Sequence, residues 1–208
     1  MKYFSQYKQD QYLNENVFKN KTTGFFLDIG ASHPKELNNT YFFENLGWDG
    51  VLVEPRLCEY NNLKKERKSP AENVGIYNES GTFKFLECEG YISALSGILK
   101  EQHPQHLNRI FHEFLMYGSS MKIIDIKTIT FDDLMTKYNK TYVDYMSLDT
   151  EGSELSILTT INFSKYKIKA ISVENNYNNN SLDNFLVSMG YKKLTSLGCD
   201  DIYINDKA

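Results

Sequence analysis

The chain has 208 residues, enough for one domain with a full hydrophobic core, which we expect to span residues 1–208. Its net charge of -4, without a large basic block, argues against a non-specific nucleic-acid binder. The three cysteines, Cys58, Cys88 and Cys199, are widely spaced and odd in number, and so indicate neither a disulfide framework nor a zinc site. The polar N-terminus is unlike a signal peptide, and no apolar run has the length of a membrane span. We therefore expect a soluble, cytoplasmic protein.

Short apolar runs alternate with amphipathic segments along the chain. The predicted helices are Ser5–Lys19 (an N-terminal helix within residues 1–22), Asn38–Leu46, Leu57–Lys68, Thr130–Tyr138, Glu154–Thr159 and Ser181–Met189. The predicted strands are Phe25–Ile29, Trp48–Pro55, Asn73–Ile76, Thr82–Leu86, Ile123–Lys127 as a short edge strand, Tyr142–Leu148, Ile168–Val173, Tyr191–Thr195 and Asp201–Ile204. Residues 91–122 are predicted to be an insertion, helical around 104–116, that forms a lid or substrate wall. This order predicts a three-layer α/β sandwich whose mostly parallel sheet ends in an antiparallel hairpin.

The first predicted strand opens into a tight loop. Asp28 lies inside an otherwise apolar run, where a carboxylate is costly to bury unless it has a function. Gly30 ends this strand, and Glu54 ends the next one about 24 residues later, where nucleoside-binding units hold ribose hydroxyls. A dinucleotide loop needs G-x-G-x-x-G, whereas residues 30–34 contain a single glycine. The pattern favours a ligand without phosphate here, such as S-adenosylmethionine (SAM), over a dinucleotide; the alternative is a plain buried strand and turn.

Acidic residues end three of the predicted core strands. They are Glu54, Asp149 and Glu174, and each follows a buried apolar run. In an open parallel sheet, ligands bind beyond the carboxyl ends of the strands. We therefore expect these three acids to line one crevice together with Asp28.

Several sequence blocks, spread over nearly the whole chain, match those of a known family. They are S-Q-x-x-Q-D at Ser5–Asp10, G-F-F-L-D-I-G-A at Gly24–Ala31, N-T at Asn39–Thr40, E-N-L-G-W-D-G-V-L-V-E-P at Glu44–Pro55, V-D-Y-M-S-L-D-T-E-G-S-E-L at Val143–Leu155 and S-V-E-N at Ser172–Asn175. With these blocks the chain resembles the FkbM-type SAM-dependent methyltransferases. One departure is that His33 and Pro34 stand where the family usually has an acid and a glycine.

The resemblance implies a Rossmann-like class I methyltransferase fold, with a seven-stranded sheet of order 3-2-1-4-5-7-6 and an antiparallel last strand. It also implies a loop at Asp28 to Ala31 beneath the methionyl group, ribose bound by Glu54, adenine near residues 73–75, and SAM as cofactor. The cofactor-binding residues predicted in this way are Asp28, Gly30, Ala31, Ser32, Asn39, Thr40, Glu54, Pro55, Asn73, Val74, Gly75 and Asp149. Members of this family usually O-methylate sugars or natural products.

The acceptor hydroxyl must lose its proton during methyl transfer, and the protein could assist this proton removal in two ways. One is a carboxylate base, with Asp149, Glu151 and Glu174 as candidates and His33 as a further base or substrate contact. The other is a bound Mg²⁺ or Ca²⁺ held by Asp149, Glu174 and Asn175, a set similar to the metal site of catechol-type O-methyltransferases. The plainer alternatives are that Glu151 caps a helix and that the two strand-end acids only form hydrogen bonds.

The sequence therefore predicts a SAM-dependent O-methyltransferase that acts on a sugar hydroxyl in a glycan, a nucleotide sugar or a glycosylated metabolite. One alternative is a catalytically weak SAM-binding module that docks to a glycosyltransferase. Another is an NAD-dependent oxidoreductase, which the missing glycines disfavour. The expected partner is a small-molecule or glycan acceptor, with no nucleic acid and no membrane span.

Overall fold

Strands and helices alternate along most of the chain, as the spacing of the apolar runs predicts. The structure is a computed structural model and describes residues 1–177 and 180–207. The strands of these residues are β1 (Phe25–Ile29), β2 (Asp49–Val53), β3 (Ala71–Glu72), β4 (Gly75–Ile76), β5 (Gly81–Glu89), β6 (Gly97–Ile98), β7 (Ser120–Ile129), β8 (Tyr142–Leu148), β9 (Lys167–Glu174), β10 (Lys192–Leu197) and β11 (Asp200–Ile204). Their α-helices are α1 (Gln9–Tyr12), α2 (Tyr41–Leu46), α3 (Leu57–Glu66), α4 (Pro104–Tyr117), α5 (Phe131–Lys137), α6 (Glu154–Leu158) and α7 (Asn180–Ser188). A π-helix, Leu13–Phe18, continues α1, and 3-10 turns cover Gly90–Leu95 and Leu99–Glu101.

The main sheet has the order β10-β11-β9-β8-β1-β2-β3. Strands β3, β2, β1, β8 and β9 are parallel, and β11 is antiparallel to both of its neighbours. Numbered along the chain within this sheet, the order is 3-2-1-4-5-7-6, which confirms the predicted class I methyltransferase arrangement. The carboxyl ends of β1, β2, β8 and β9 therefore meet at one edge of the sheet.

Helices cover both faces of this sheet, because its strands are apolar on both sides. In β1, Phe25 and Leu27 face the core that is shared with α5, α6 and α7. Phe26 faces the opposite core, which includes Leu13 of the π-helix and Phe43 of α2. Each of these fully buried side chains stabilises the fold by about 1.5–3 kcal/mol. The predicted three layers are thus confirmed.

A second sheet, of order β4-β7-β5-β6, was not predicted. Its centre is the antiparallel pair of β5 and β7, which runs from Gly81 opposite Thr128 to Glu89 opposite Ser120. The edge strand predicted at 123–127 is wrong, since β7 has ten residues and lies between β4 and β5. Helix α4 packs its Ile110 into the apolar cluster beneath this sheet.

The strand predicted at 73–76 is found only in its second half, which is β4 and pairs with β7 in the second sheet. The strand that pairs with β2 in the main sheet is β3, which lies just before the predicted range. The side-chain amide of Asn73 donates to the carbonyl oxygens of Glu54 (3.1 Å) and Pro55 (2.9 Å). Asn73 therefore turns toward the end of β2 and interrupts the strand at this point.

The predicted N-terminal helix begins four residues later than expected, at Gln9. Ser5 is not its N-cap: the carboxylate of Asp10 accepts hydrogen bonds from the amides of Phe4 (2.6 Å) and Ser5 (3.3 Å) and from the Ser5 hydroxyl (2.5 Å). Lys8 has a positive φ of 67°, which separates residues 5–8 from the helix. We call residues 5–8 the N-terminal strap.

Other element boundaries differ by a few residues. Helix α2 begins at Tyr41 rather than Asn38, because Oδ1 of Asn38 accepts the amides of Thr40 (3.0 Å) and Tyr41 (2.8 Å) as a cap. Helix α7 begins at Asn180, one residue before the predicted start at Ser181. The polar, Asn-rich stretch 175–180, which its composition predicts to be a loop, lies partly outside the described residues. Among the helices that the structure describes, none combines the length and the apolar character needed to cross a bilayer.

Candidate active site

A cavity of about 230 Å³ opens at the carboxyl edge of the main sheet. We call it the strand-end cavity. The predicted site residues that line it are Gly30, Ser32, Glu54, Pro55, Gly75, Asp149, Glu151 and Glu174. The second sheet adds an apolar wall that includes Ile76, Phe85 and Ile126, and the N-terminal strap adds Gln6 and Tyr7. The crevice that the strand-end acids predict is therefore present.

Gly30 makes the tight turn after β1. Its φ is 86°, and a Cβ atom at this position would lie 1.7 Å from the carbonyl oxygen of Asp149. The amides of Gly30 and Ala31 both donate to the carbonyl oxygen of Val53 at 3.0 Å. The loop is thus clamped between β2 and β8, and only glycine fits at its first position.

Asp28 lies behind the loop rather than in the cavity. Its Oδ2 accepts hydrogen bonds from the Thr40 hydroxyl (2.7 Å) and the Asn38 amide (3.2 Å). The same Asn38 amide donates to the carbonyl oxygen of Ala31 (3.0 Å), and the buried guanidinium of Arg67 donates to both Asn38 and Thr40. Burial raises the pKa of Asp28 despite these partners. Asp28 thus holds the loop in place from below.

Glu54 presents its buried carboxylate at the end of β2. Oε2 accepts from the amide of Ser32 (2.9 Å), and Oε1 accepts from the backbone amide (2.8 Å) and Nε (3.0 Å) of Arg56. The Arg56 guanidinium also donates to the Ser32 hydroxyl (2.9 Å) and to the carbonyl oxygen of Ser93 (2.7 Å). Arg56 is not among the predicted site residues. The sequence shows it only as a basic residue two positions after the strand-end acid Glu54, which does not by itself predict a buried ion pair.

Three carboxylates form a cluster at the ends of β8 and β9. Carboxylate oxygens of Asp149, Glu151 and Glu174 lie within 4.8 Å of one another. Burial, followed by the charges of the neighbouring acids, raises the pKa of Asp149 and Glu174 well above the ordinary carboxyl range. The same causes raise the pKa of Glu151 to about 8. Such a cluster favours either a retained proton or a bound cation.

Glu151 is held in an unusual position. Its φ is 56°, and its carbonyl oxygen accepts from the side-chain amide of Gln102 (2.9 Å). Its Oε2 has no hydrogen-bond partner among the described residues and lies 3.5 Å from Nδ1 of His106. Because Nε2 of His106 donates to the carbonyl oxygen of Leu95 (3.1 Å) and burial lowers the pKa of this histidine, Nδ1 carries a lone pair. A protonated Glu151 carboxyl group can therefore donate a hydrogen bond to this lone pair.

Several predicted cofactor residues lie behind the cavity walls instead of among the lining residues. The Asn73 amide is engaged with the carbonyl oxygens at the end of β2, and Val74 packs against the core. The Asn39 amide donates to a serine hydroxyl of β8 (3.1 Å), and Thr40 bonds to Asp28. These side chains therefore make contacts within the protein that hold the cavity walls in place.

Two further predicted site residues have side chains engaged outside the acid cluster, although Asn175 lines a cavity of about 520 Å³ together with Glu151 and Glu174. His33 is exposed and outside the cavity, and its Nδ1 accepts from the second and third backbone amides that follow it (3.2 and 2.9 Å). The Asn175 amide donates to Oδ2 of Asp201 (2.9 Å) on β11. The structure thus brings Glu151 beside Asp149 and Glu174, and Asn175 stays a predicted ligand.

A second cavity, of about 520 Å³, adjoins the first. Glu151, Glu174 and Asn176 line both cavities. Residues of the predicted insertion and of the loop after β9 also line the second one, among them Glu101, His103, His106 and Tyr177. The rings of His103 and Tyr177 stack with their centroids 4.5 Å apart and their planes at 21°. The acid cluster thus stands between a cavity at the β1–β2 edge and a cavity with an aromatic surface.

Comparison with known proteins agrees with this geometry. The family model described as the methyltransferase FkbM domain matches residues 28–193, which include the β1 loop, Glu54 and the acid cluster. No curated protein matches the chain at a significant level. The match makes the chain a methyltransferase, and SAM is the methyl donor of such enzymes in general. The chain belongs to the FkbM methyltransferase family.

Proposed function

We propose that this chain is a SAM-dependent O-methyltransferase that acts on a sugar hydroxyl in a glycan or a glycosylated metabolite. The observation that carries the proposal is the carboxylate cluster of Asp149, Glu151 and Glu174, which lies where the two cavities meet. A methyl donor in one cavity and a hydroxyl acceptor in the other would meet beside groups that accept a proton. Family membership supports the methyl transfer, and the site supports the hydroxyl acceptor.

The strand-end cavity suits the donor. Glu54 lines it with a buried carboxylate whose Oε2 accepts from the Ser32 amide (2.9 Å) and, at 3.5 Å, from the Arg56 guanidinium. Gly30 lines the cavity with backbone atoms alone. SAM, when bound, supplies a sulfonium methyl group, which passes to the acceptor oxygen while the carbon–sulfur bond breaks and its electron pair stays on sulfur. Glu54 would accept hydrogen bonds from the ribose hydroxyls.

The acid cluster suits removal of the hydroxyl proton. A sugar hydroxyl is a weak acid, so transfer of its proton to a positioned base lowers the barrier. Glu151 and Glu174 line both cavities and can reach a group between them. The pKa of Glu151, about 8, makes its carboxylate a stronger base than an ordinary glutamate. We assign the base to this pair, whose pKa values are raised by burial and by the neighbouring Glu154 carboxylate.

The same oxygens also fit a divalent cation. Mg²⁺ and Ca²⁺ bind carboxylate oxygens, and the cluster offers three such groups with Oε2 of Glu151 unpartnered among the described atoms. A bound cation would lower the pKa of the acceptor hydroxyl and would keep all three carboxylates ionised. We therefore include Mg²⁺ or Ca²⁺, held by Asp149, Glu151 and Glu174, in the proposal.

The second cavity suits a sugar. The stacked rings of His103 and Tyr177 offer a flat apolar surface for a sugar ring. Around it, Oε2 of Glu101 accepts from the Ser156 hydroxyl (2.8 Å) and the Asn176 side-chain amide donates to Oε1 of Glu174 (2.5 Å), so a sugar hydroxyl would bond to the remaining capacity of these groups. An apolar surface with a few placed polar groups is typical of small-molecule sites.

Calorimetric titration with SAM, S-adenosylhomocysteine and NAD, each with and without Mg²⁺, tests the proposal first. We expect the two adenosyl ligands to bind and NAD to give no signal. Methyl transfer from labelled SAM to a panel of glycosides, with and without EDTA, then tests the acceptor class and the cation. Binding of NAD alone would favour the oxidoreductase, and SAM binding without transfer to any hydroxyl acceptor would favour the inactive module.

A further inference from the structure

The N-terminal strap crosses one side of the strand-end cavity. At one end, Ser5 forms a parallel β-bridge with Leu37 in the loop after β1. At the other end, Tyr7 lies against Gly198 in the turn between β10 and β11. Gln6, Tyr7 and Leu37 all line the cavity. The family match begins at residue 28 and assigns nothing to the strap.

A buried hydrogen-bond chain fixes the backbone of the strap. The Tyr7 amide donates to Oε1 of Gln9 (2.9 Å), and Nε2 of Gln9 donates to Oδ2 of Asp200 (2.8 Å). Gln9 and Asp200 are 2% and 4% exposed. Asp200 starts β11 and pairs in register with Glu174 of the acid cluster. The strap is therefore tied to the acidic edge of the sheet.

The backbone of the strap is fixed, but the side chains of Gln6 and Tyr7 face the strand-end cavity. A Cβ atom on Gly198 would lie 2.3 Å from the ring of Tyr7, so the ring is seated against a turn that only glycine allows. Tyr7 is nevertheless 41% exposed, and Gln6 is exposed with its amide near the Tyr7 hydroxyl (3.3 Å). A fixed backbone thus presents an amide and a phenol hydroxyl to the space where a ligand would lie.

The sheet order shows which end of the ligand these groups would meet. Glu54, the predicted ribose acceptor, ends β2 on one side of β1. The strap runs from the loop after β1 to the turn at β11, on the other side of β1 from β2. A SAM molecule whose ribose lies at β2 therefore extends toward the strap with its amino-acid end, which carries a carboxylate and an ammonium group.

We propose that Gln6 and Tyr7 bind the amino-acid end of SAM, and that the contact between Gln9 and Asp200 positions them. The inference rests on the proposed function in one respect, namely that the strand-end cavity binds SAM. The Gln6 amide and the Tyr7 hydroxyl donate hydrogen bonds to the ligand carboxylate, and Oε1 of Gln6 can accept one from the ammonium group. Gln9 acts through the strap and does not touch the ligand.

Two ligands that differ only in the amino-acid group provide the test. S-adenosylhomocysteine carries this group, whereas 5′-methylthioadenosine has the adenosine and the sulfur without it. Calorimetry with the full chain compares the wild type with Gln6→Ala, Gln9→Ala and the matched control Gln11→Ala, whose side-chain amide donates to the exposed Glu15. We expect Gln6→Ala and Gln9→Ala each to weaken S-adenosylhomocysteine binding about tenfold and to leave 5′-methylthioadenosine binding unchanged. Gln11→Ala should bind both ligands as the wild type does.

The outcomes separate this inference from the proposed function. Wild-type affinity of Gln6→Ala for S-adenosylhomocysteine overturns the strap assignment while leaving SAM binding intact. An equal loss for both ligands also overturns it, because the strap would then shape the cavity without binding the amino-acid group. A wild type that binds neither ligand refutes the proposed function itself. Gln6 is exposed, so its variant decides the question even if loss of the buried Gln9 contact unfolds the chain.

Discussion

Replacing Glu151 with glutamine is expected to stabilise the protein at alkaline pH and to remove its methyltransferase activity. Glutamine keeps the size of the side chain and resembles the protonated acid that faces Nδ1 of His106 at 3.5 Å. It cannot ionise, so the charge repulsion from Asp149 and Glu174 no longer develops as pH rises. The same change removes the group that we assign to proton transfer or cation binding.

The size of the stability change follows from the pKa of Glu151. Burial and neighbouring acids raise it from the ordinary 4.5 to about 8 in the folded protein. Between these pH values the folded state binds more protons than the unfolded state, so the free energy of unfolding falls as pH rises. The contribution is fully present below pH 4.5 and is lost as pH rises through about 8. At about 1.36 kcal/mol for each pH unit of this window, the loss amounts to about 5 kcal/mol.

Urea denaturation from pH 5 to pH 8.5, followed by fluorescence, measures this effect. Trp48 is the single tryptophan and is buried in the core, so its emission reports unfolding. Glu151→Gln should match the wild type near pH 5 and exceed its stability by several kcal/mol at pH 8.5. The matched control is Glu79→Gln, which alters an exposed carboxylate and should follow the wild type throughout. If the wild type and Glu151→Gln lose stability equally between pH 5 and 8.5, the electrostatic account of the cluster is wrong.

Three further substitutions test the rest of the site. Glu54→Gln should weaken S-adenosylhomocysteine binding at least tenfold in calorimetry, because it removes the charge that accepts the ribose hydroxyls; unchanged affinity would remove Glu54 from the ribose site. Tyr177→Ala should raise the KM of a sugar acceptor without altering SAM affinity, since it removes half of the stacked pair; equal changes in both constants would argue against an acceptor role for the second cavity. Gly30→Ala should lower the free energy of unfolding by more than about 3 kcal/mol, because its Cβ would lie 1.7 Å from the Asp149 carbonyl oxygen. If the variant unfolds at the same urea concentration as the wild type, this account of the packing is wrong.

The main sheet could be predicted from the sequence because its strands are buried on both faces. Phe25–Ile29 and Tyr142–Leu148 have the predicted bounds, since a short continuous apolar run between polar loops is typical of a buried strand. Parallel strands then bring their acidic ends together, which is why Glu54, Asp149 and Glu174 line one cavity. For these strands the local apolar pattern was therefore sufficient to predict their bounds and their burial.

The second sheet and the strap could not be predicted in this way. Strand β7 is exposed along most of its length, and its partner β5 lies far away in the sequence, so its pattern resembled that of a short edge strand. Ser5 has the residue type of an N-cap, and its hydroxyl does accept the Asp10 amide of α1 (3.2 Å). The helix nevertheless begins only after Lys8, whose positive φ no local sequence pattern indicates. The ion pair of Arg56 with Glu54 depends in the same way on burial that no local pattern reveals.

The turn at residues 150–152 combines two unfavourable features of the site, namely backbone strain and repulsion between carboxylates. Glu151 adopts a left-handed backbone conformation, and Gly152 follows it with a φ of 126°. Glu154 fixes this turn by accepting the amides of Thr150 (2.8 Å) and Gly152 (3.0 Å), so the backbone cannot relax. The turn thus holds a third carboxylate beside two others, where repulsion and backbone strain add together. A proton or a divalent cation removes the repulsion. In the reaction that we propose, the cluster would receive the proton of the acceptor hydroxyl, or a cation bound there would lower the pKa of that hydroxyl. We therefore interpret the local loss of stability as a consequence of placing the proposed base or cation ligand where the two cavities meet.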